Sequence, residues 1–411
     1  MAVVKAWRAF RPTKEYVAKI AALPYDVYNR EEATKIVKEN PDSFLAIDRA
    51  ETAFGGEVGT YDDVVYDKAR DLLNEWIQQG KFVQDACDCY YIYEQVMDGR
   101  SQKGIVALAS IDDYVNGVIK KHENTRADKE VDRIRHVETC GAQTGPIFLA
   151  YRGMDELSSI VADKTMQEPE YDFTGDDGII HRVWMIDEPS VVEKIGKLFE
   201  SMEAIYIADG HHRCASAVKV GLKKREENPA YDGTEDFNYF LSVLFPAQEL
   251  AIFDYNRVVA DLNGLTKKEF LESVAADFTI EKNPHGAYRP EKKATFGMYL
   301  DGEWYKLTAK DVGESLGAVE SLDVSVLQDR VLGPILGIQD PKTDKRIDFV
   351  GGIRGLSELE RRVEKDMTVA FSMYPTSIFE LFDVADAGLL MPPKSTWFEP
   401  KLRSGLFIHK I

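Results

Sequence analysis

The stretch from Glu203 to Glu227, EAIYIADGHHRCASAVKVGLKKREE, decides how this chain is read. Ile205, Tyr206 and Ile207 form an apolar, strand-like run, which the turn dipeptide Asp209-Gly210 interrupts. Ala215, Ala217, Val218 and Leu222 then supply the apolar positions of a helix. The segment predicts strand, tight turn, helix. A helix opening directly after such a turn aims unpaired N–H groups and a partial positive charge at whatever lies beyond it. Gly210 allows close backbone approach, and Arg213 can grip two phosphate oxygens at once. Gly210, His211 and Arg213 are therefore candidate phosphate-binding residues, and Asp209 and His212 candidate catalytic ones. The competing reading makes Asp209 a simple cap with histidines that pack or face water. Neighbouring helical histidines diverge by about 100°, which argues against His211 and His212 sharing one metal.

Outward from this stretch the pattern stays mixed. Upstream, Asn29 with Glu32 predicts a capping box closed off by Asn40-Pro41, and Thr60 with Asp63 predicts the start of a second helix that Gly80 stops. YYIYEQVM (90–97) and KGIVALASI (103–111) read as a hairpin with a slightly long loop around Asp98-Gly99. A helix over 128–142 and a buried strand over 145–151 precede the central segment, and 237–245 and 249–259 read as further strands. From Gly264 the texture changes to smaller pieces. These are a capping box at Thr266 and Glu269, a hairpin around Asp301-Gly302, and helices over 324–338, 355–367 and 377–390. The expectation is a mixed α/β domain over 1–260 carrying DGHHR, then a C-terminal α+β region over 261–411 with the loop MPPKST.

Composition narrows the function classes. The chain has 411 residues with 44% hydrophobic and 11% aromatic content, enough for large cores. Its formal net charge of −19 opposes a phosphate backbone, so nucleic acid is not an expected partner. Four cysteines, Cys87, Cys89, Cys140 and Cys214, show no CxxC spacing, so neither a disulfide framework nor structural zinc is expected. The basic start has no apolar run of signal-peptide length, and no run reaches membrane-spanning length. The expectation is a cytoplasmic protein without a membrane partner.

No Walker, dinucleotide-fold or zincin motif occurs, which leaves NAD, flavin and haem without a flag. Gly313-Glu314-Ser315-Leu316-Gly317 matches a nucleophile elbow, but a charged approach precedes it where a buried strand belongs, so it reads as an ordinary turn. His122 and Glu123, in the polar loop HENT, set an imidazole beside a carboxylate where acid–base work is feasible, with a solvated loop as the plainer reading. Asp132-Arg133 beyond it fits a helix-surface pair. Tyr25 and Asp26, in PYDV, can orient a substrate group or set up the following helix. Lys394, Ser395 and Thr396 sit in a Pro-bounded loop that can touch phosphate or act as a rigid clamp. A metal-dependent hydrolase built on His122, His211 or His212 is a further, minor reading.

Taken together, PYDV, NPDSFLAIDRAE, HENT with DR downstream, GPIF, ADGHHRCASA and VADAGLLMPPKSTWFEPKLRSGL resemble the bacterial family called domain of unknown function 1015, in family order over residues 7 to 411. The strand-DGHHR-helix unit is also similar to the phosphate motif of the ParB/sulfiredoxin superfamily, which includes free-serine kinases with a related DGHxR segment. Sulfiredoxins carry a cysteine where this chain has His211, which disfavours sulfinic-acid reduction. ParB-type proteins add DNA-binding elements that this acidic chain lacks. The resemblance implies a ParB/sulfiredoxin-like core and phosphoryl transfer to a small metabolite, serine-kinase-like. It further implies ATP or ADP, Mg²⁺ in the region of Asp209, and His122 or Glu123 as base. A non-catalytic module binding a nucleotide or phosphate ester, and a phosphatase acting on a phosphorylated amino acid, are the alternatives.

Overall fold

The computed structural model describes residues 1–125, 127–311 and 316–411; most of the Gly313–Gly317 pentapeptide falls outside the described residues. The chain forms two compact units, Met1–Leu250 with Pro400–Ile411, and Ala251–Glu399. The sequence reading set the divide near 260 and gave the whole C-terminal end to the second region. The final segment returns because His409–Lys410 pairs with Ala142–Gln143, and Phe407 and Ile408 are fully buried.

The fold is mixed α/β. The first unit is built on a nine-stranded sheet. Its strands are β1 (Val4–Lys5), β2 (Tyr90–Met97), β3 (Arg100–Ser110), β4 (Ile119–Lys120), β5 (Ile147–Tyr151), β6 (Tyr171–Thr174), β7 (Ile180–Ile186), β8 (Ile205–Asp209) and β9 (Tyr239–Pro246). They run in the order β4-β8-β5-β9-β3-β2-β7-β6, with β1 also on β3. The pairs β4/β8 and β5/β9 are parallel and the others antiparallel. Strands β5 and β8 are apolar along nearly their whole length because both faces are covered, as a central strand requires. Asp98 and Gly99 both take positive φ, so β2 and β3 are joined by a two-residue turn, tighter than the loop expected.

Helices α1 (Arg30–Glu39), α2 (Asp63–Gln78) and α3 (Ala127–Cys140) precede α4 (Asp155–Thr165), α5 (Pro189–Glu200) and α6 (His211–Glu227). Leu157, Ile195, Phe199, Cys214, Ala217 and Val218 carry α4, α5 and α6 onto the sheet core. A second core gathers Phe44, Trp76 and Phe82, edge to face or stacked, with Leu73 and Ile408. The α1 capping box forms as expected, Asn29 accepting from the Glu32 N–H. The expected Thr60–Asp63 pairing does not start α2. Asp62 is the N-cap, and its carboxylate accepts from the Gly59 N–H.

In the second unit a six-stranded sheet includes Tyr255–Val259, Thr295–Leu300, Glu303–Ala309 and Val369–Ser372. The Asp301-Gly302 hairpin and the Thr266–Glu269 capping box form as expected. The run 249–259 is split, Ile252–Phe253 pairing with Trp397–Phe398 instead of continuing the strand. The helix expected over 324–338 stops early: Asp323–Leu327 is α-helical and Gln328–Leu332 is π-helical. Pro334 is the cause, since its ring opposes the i→i−4 ladder and the Gly333 N–H reaches back to the Gln328 carbonyl. Among the described residues no helix is long and apolar enough to cross a membrane.

Candidate functional site

The central segment folds as read: β8 ends at Asp209, Gly210 turns with φ +89°, and α6 runs 17 residues from His211. A register shift between Ile207 and Asp209 bulges the strand just before the turn, which re-aims the Asp209 side chain. The left-handed Gly210 is required twice over. Its φ is costly for any other residue, and a Cβ there would stand 3.2–3.4 Å from the Arg213 guanidinium. Arg213 thus folds back over the turn that opens its own helix. Its Nη1 donates to the Pro146 carbonyl at 2.7 Å, and Gly145 keeps that approach open, a Cβ there meeting Ser404 Oγ at 3.0 Å and Arg213 Nη1 at 3.4 Å.

Asp209 does not cap α6 through its side chain. One carboxylate oxygen accepts from the Gly210 N–H at 2.8 Å, and the other from Lys401 Nζ at 3.0 Å. Burial opposes its ionised form, but the charges of Lys401 and Arg213 outweigh burial and hold it well below the ordinary carboxylate range. His211 lies under the turn, buried, and its ring packs edge-on against His122 with centroids 4.5 Å apart. Burial pushes His211 down to about 4, and burial and His211 together push His122 well below the ordinary imidazole range, so both rings are neutral. A hydrogen bond to the Ile207 backbone anchors His122 to β8. Glu123 and His212 are half-buried alongside. Glu130 on α3 joins Thr125 to Lys219 of α6, tying the HENT loop to the DGHHR helix.

A cavity of about 240 Å³ opens in the same unit, lined by Tyr25, Asp26, Asp48, Arg49, Glu51 and Arg133 among others. The Arg133 guanidinium stands 3.9 Å from the Tyr25 ring centroid and pairs with Asp132 at 2.9 Å, whose other oxygen accepts from Tyr66 at 2.8 Å. Both members of this pair are buried, so it is not the surface pair that the sequence suggested. Arg49 binds Glu51 at 2.6 Å and the Tyr25 carbonyl at 2.9 Å, while Asp48 accepts from Thr144 at 2.9 Å. A smaller hollow of about 30 Å³ shares Tyr25, Asp48, Arg133 and His136 with this cavity and is also lined by Arg213, Gly145 and Ser404. The arrangement brings two cations held by hydrogen bonds, Arg133 and Arg213, to one hollow with Tyr25 and the Asp48 carboxylate.

Tyr25, Asp26, His122, Glu123 and Asp209 to Arg213 all belong to the first unit. Lys394, Ser395 and Thr396 belong to the second, where the loop is held locally. The Lys394 carbonyl accepts from Arg257 at 3.0 Å, Ser395 donates to the Pro392 carbonyl at 2.6 Å, and its own carbonyl accepts from Thr376 at 3.0 Å. Sequence reasoning passed over Lys401 and Ser404, which come from the returning segment. It also passed over Asp48, Arg49 and Glu51, although charges following the buried run Phe44–Ile47 were a usable signal.

A search of curated proteins found no match. Among solved structures the chain is similar to a free serine kinase in complex with AMP, at 14% identity, TM-score 0.34, covering 72% of this chain and 86% of that one. A C-terminally truncated SbnI from Staphylococcus aureus is similar at 13% identity and TM-score 0.38, with 72% and 82% covered. A conserved hypothetical protein from Pyrococcus furiosus is similar at 14% identity and TM-score 0.34, with 75% and 95% covered. The family described as protein of unknown function DUF1015 matches residues 4–325, most of the chain and every candidate residue of the first unit up to Arg213, and the chain belongs to that family.

Proposed function

We propose that the protein transfers a phosphoryl group between a nucleotide, ATP or ADP, and the hydroxyl of a small metabolite of the amino-acid class, as a free-serine kinase does. The observation that carries this reading is the turn itself: left-handed Gly210 opens α6 with Arg213 folded over it and a charged cavity close by. Phosphoryl transfer asks a protein mainly for positioning and charge stabilisation. The N–H groups of His211, His212 and Arg213 hold the phosphate, and Arg213 meets the charge that spreads over its oxygens. Asp209, already engaged by Lys401 and Gly210, keeps the turn in shape, and Mg²⁺ arrives bound to the nucleotide phosphates. The cavity of about 240 Å³ takes the acceptor, with Arg133 facing its carboxylate and Glu51 its ammonium group.

In the reaction the acceptor oxygen bonds to phosphorus as the bridging P–O bond to the nucleotide breaks, and the hydroxyl proton passes to a carboxylate. Neutral, buried His122 is a weak proton acceptor, which leaves Glu123 and Asp26 for that role. A thermal-shift titration with ATP, ADP, L-serine and phosphoserine, followed by product analysis, tests the reading. A nucleotide-dependent shift that is lost in Arg213→Ala, with a phosphorylated acceptor formed, is the expected result. Binding without turnover would leave a sensor module, and release of inorganic phosphate from phosphoserine would leave a phosphatase. No shift with any of the four would remove nucleotide and phosphate from the site.

A further inference from the structure

The two buried imidazoles at the turn each leave one ring nitrogen unpaired among the described residues. His122 and His211 are only 2% and 6% exposed, yet Nδ1 of His122 and Nε2 of His211 have no hydrogen-bond partner among the described residues. Buried polar atoms are almost always paired, so two such atoms in neighbouring rings call for a shared ligand. A ring nitrogen of each histidine and a carboxylate oxygen of Glu123 lie within 4.8 Å of one another. The rings meet nearly at right angles, at 86°, edge to face and not stacked.

The geometry points to a three-ligand site for a first-row divalent transition ion of the zinc class, formed by His122, Glu123 and His211. Two imidazole nitrogens and one carboxylate oxygen suit zinc, cobalt or manganese better than Mg²⁺ or Ca²⁺, which prefer oxygen throughout. Three protein ligands with one open position is the pattern of zinc sites that take water or substrate. Donors on a tetrahedral ion with bonds of ~2.0–2.1 Å stand about 3.3 Å apart, so small side-chain rotations draw the three groups together. The hydrogen bond from His122 to the Ile207 backbone is the outer contact that fixes a metal-binding imidazole in one tautomer. His212 takes no part: the second imidazole comes from the HENT loop, which removes the objection that adjacent helical histidines diverge.

The inference stands apart from the kinase reading. Where both hold, Glu123 serves the metal and Asp26 is left as the proton acceptor. The test uses the tag-free full-length chain, stripped with a chelator and titrated with Zn²⁺ or Co²⁺ in excess Mg²⁺. One equivalent of tightly held ion is expected, the Co²⁺ form showing the visible absorption of low-coordinate cobalt. Glu123→Gln should weaken binding by at least about tenfold, and His122→Gln with His211→Gln should abolish it. Arg213→Ala should keep the metal while losing nucleotide, so the two proposals fail separately. Uptake well below one equivalent by the folded wild type would overturn the site, whatever the variants do. So would unchanged uptake in the double histidine variant with a native circular-dichroism spectrum.

Discussion

At the scale of single residues, two side chains make opposite demands on the DGHHR turn. In the proposed reaction Arg213 supplies charge to a ligand, and it is also hydrogen-bonded to the Pro146 carbonyl. Arg213→Ala should weaken nucleotide or phosphate-ester affinity by roughly 10–100-fold, the worth of a charge-assisted hydrogen bond of ~1.5–3 kcal/mol, as calorimetric titration would show. Lys401 acts on the protein instead. Because Asp209 is held below its unfolded value, the stability this gives is present above the ordinary carboxylate pKa of 3.8 and lost as pH falls further. Lys401→Met should therefore lower the urea midpoint at neutral pH, and the gap from wild type should narrow as pH drops below about 4. A gap that widened in acid would mean Asp209 is not the group Lys401 stabilises.

At the scale of elements, α6 carries a glycine with a structural reason. A Cβ on Gly221 would stand 2.4 Å from the Phe237 carbonyl oxygen and 2.8 Å from Ile111 Cδ1. Gly→Ala on an open helix face gains up to ~1 kcal/mol, whereas Gly221→Ala should cost ~1–3 kcal/mol by overpacking, readable in chemical denaturation. Thr266→Ala, which removes one half of a capping box, should cost ~1 kcal/mol in the unfolding of the second unit. Elements such as these were legible in the sequence because their signals are local: Asn29 with Glu32, Thr266 with Glu269, Asp301-Gly302, and Asp209-Gly210 before an apolar helix. What failed to read depended on contacts distant in sequence or on competing local bonds. Asp62, its carboxylate turned back to the Gly59 N–H, took the N-cap position expected of Thr60, and Pro334 turned a predicted helix into a π-helical stop. At the site, DGHHR and HENT were visible as polar clusters. Lys401 and Ser404 were not, because nothing in their neighbours states which part of the chain they will meet.

At the scale of the whole molecule, buried neutral histidines set the response to acid. Burial and Arg133 lower His136 to about 4, and burial and Arg403 lower His181 to about 3. Between these values and the unfolded value of 6.5 the unfolded chain binds more protons, so stability should climb with pH across that window and level off above it. Urea midpoints from about pH 4.5 to 8 should show this rise, and His136→Gln should make it shallower by one histidine's share; a midpoint that fell over the same range would contradict the neutral, buried state. The first unit is also discontinuous, with residues 251–399 placed between Leu250 and Pro400. Asp209 and the lysine that neutralises it are 192 residues apart. On the ribosome, at ~5–20 residues per second, the DGHHR turn is therefore made roughly 10–40 seconds before Lys401. For that interval the nascent chain carries the Asp209 carboxylate without its lysine partner, Arg213 alone standing against it, and the proposed site is incomplete until the returning segment has docked.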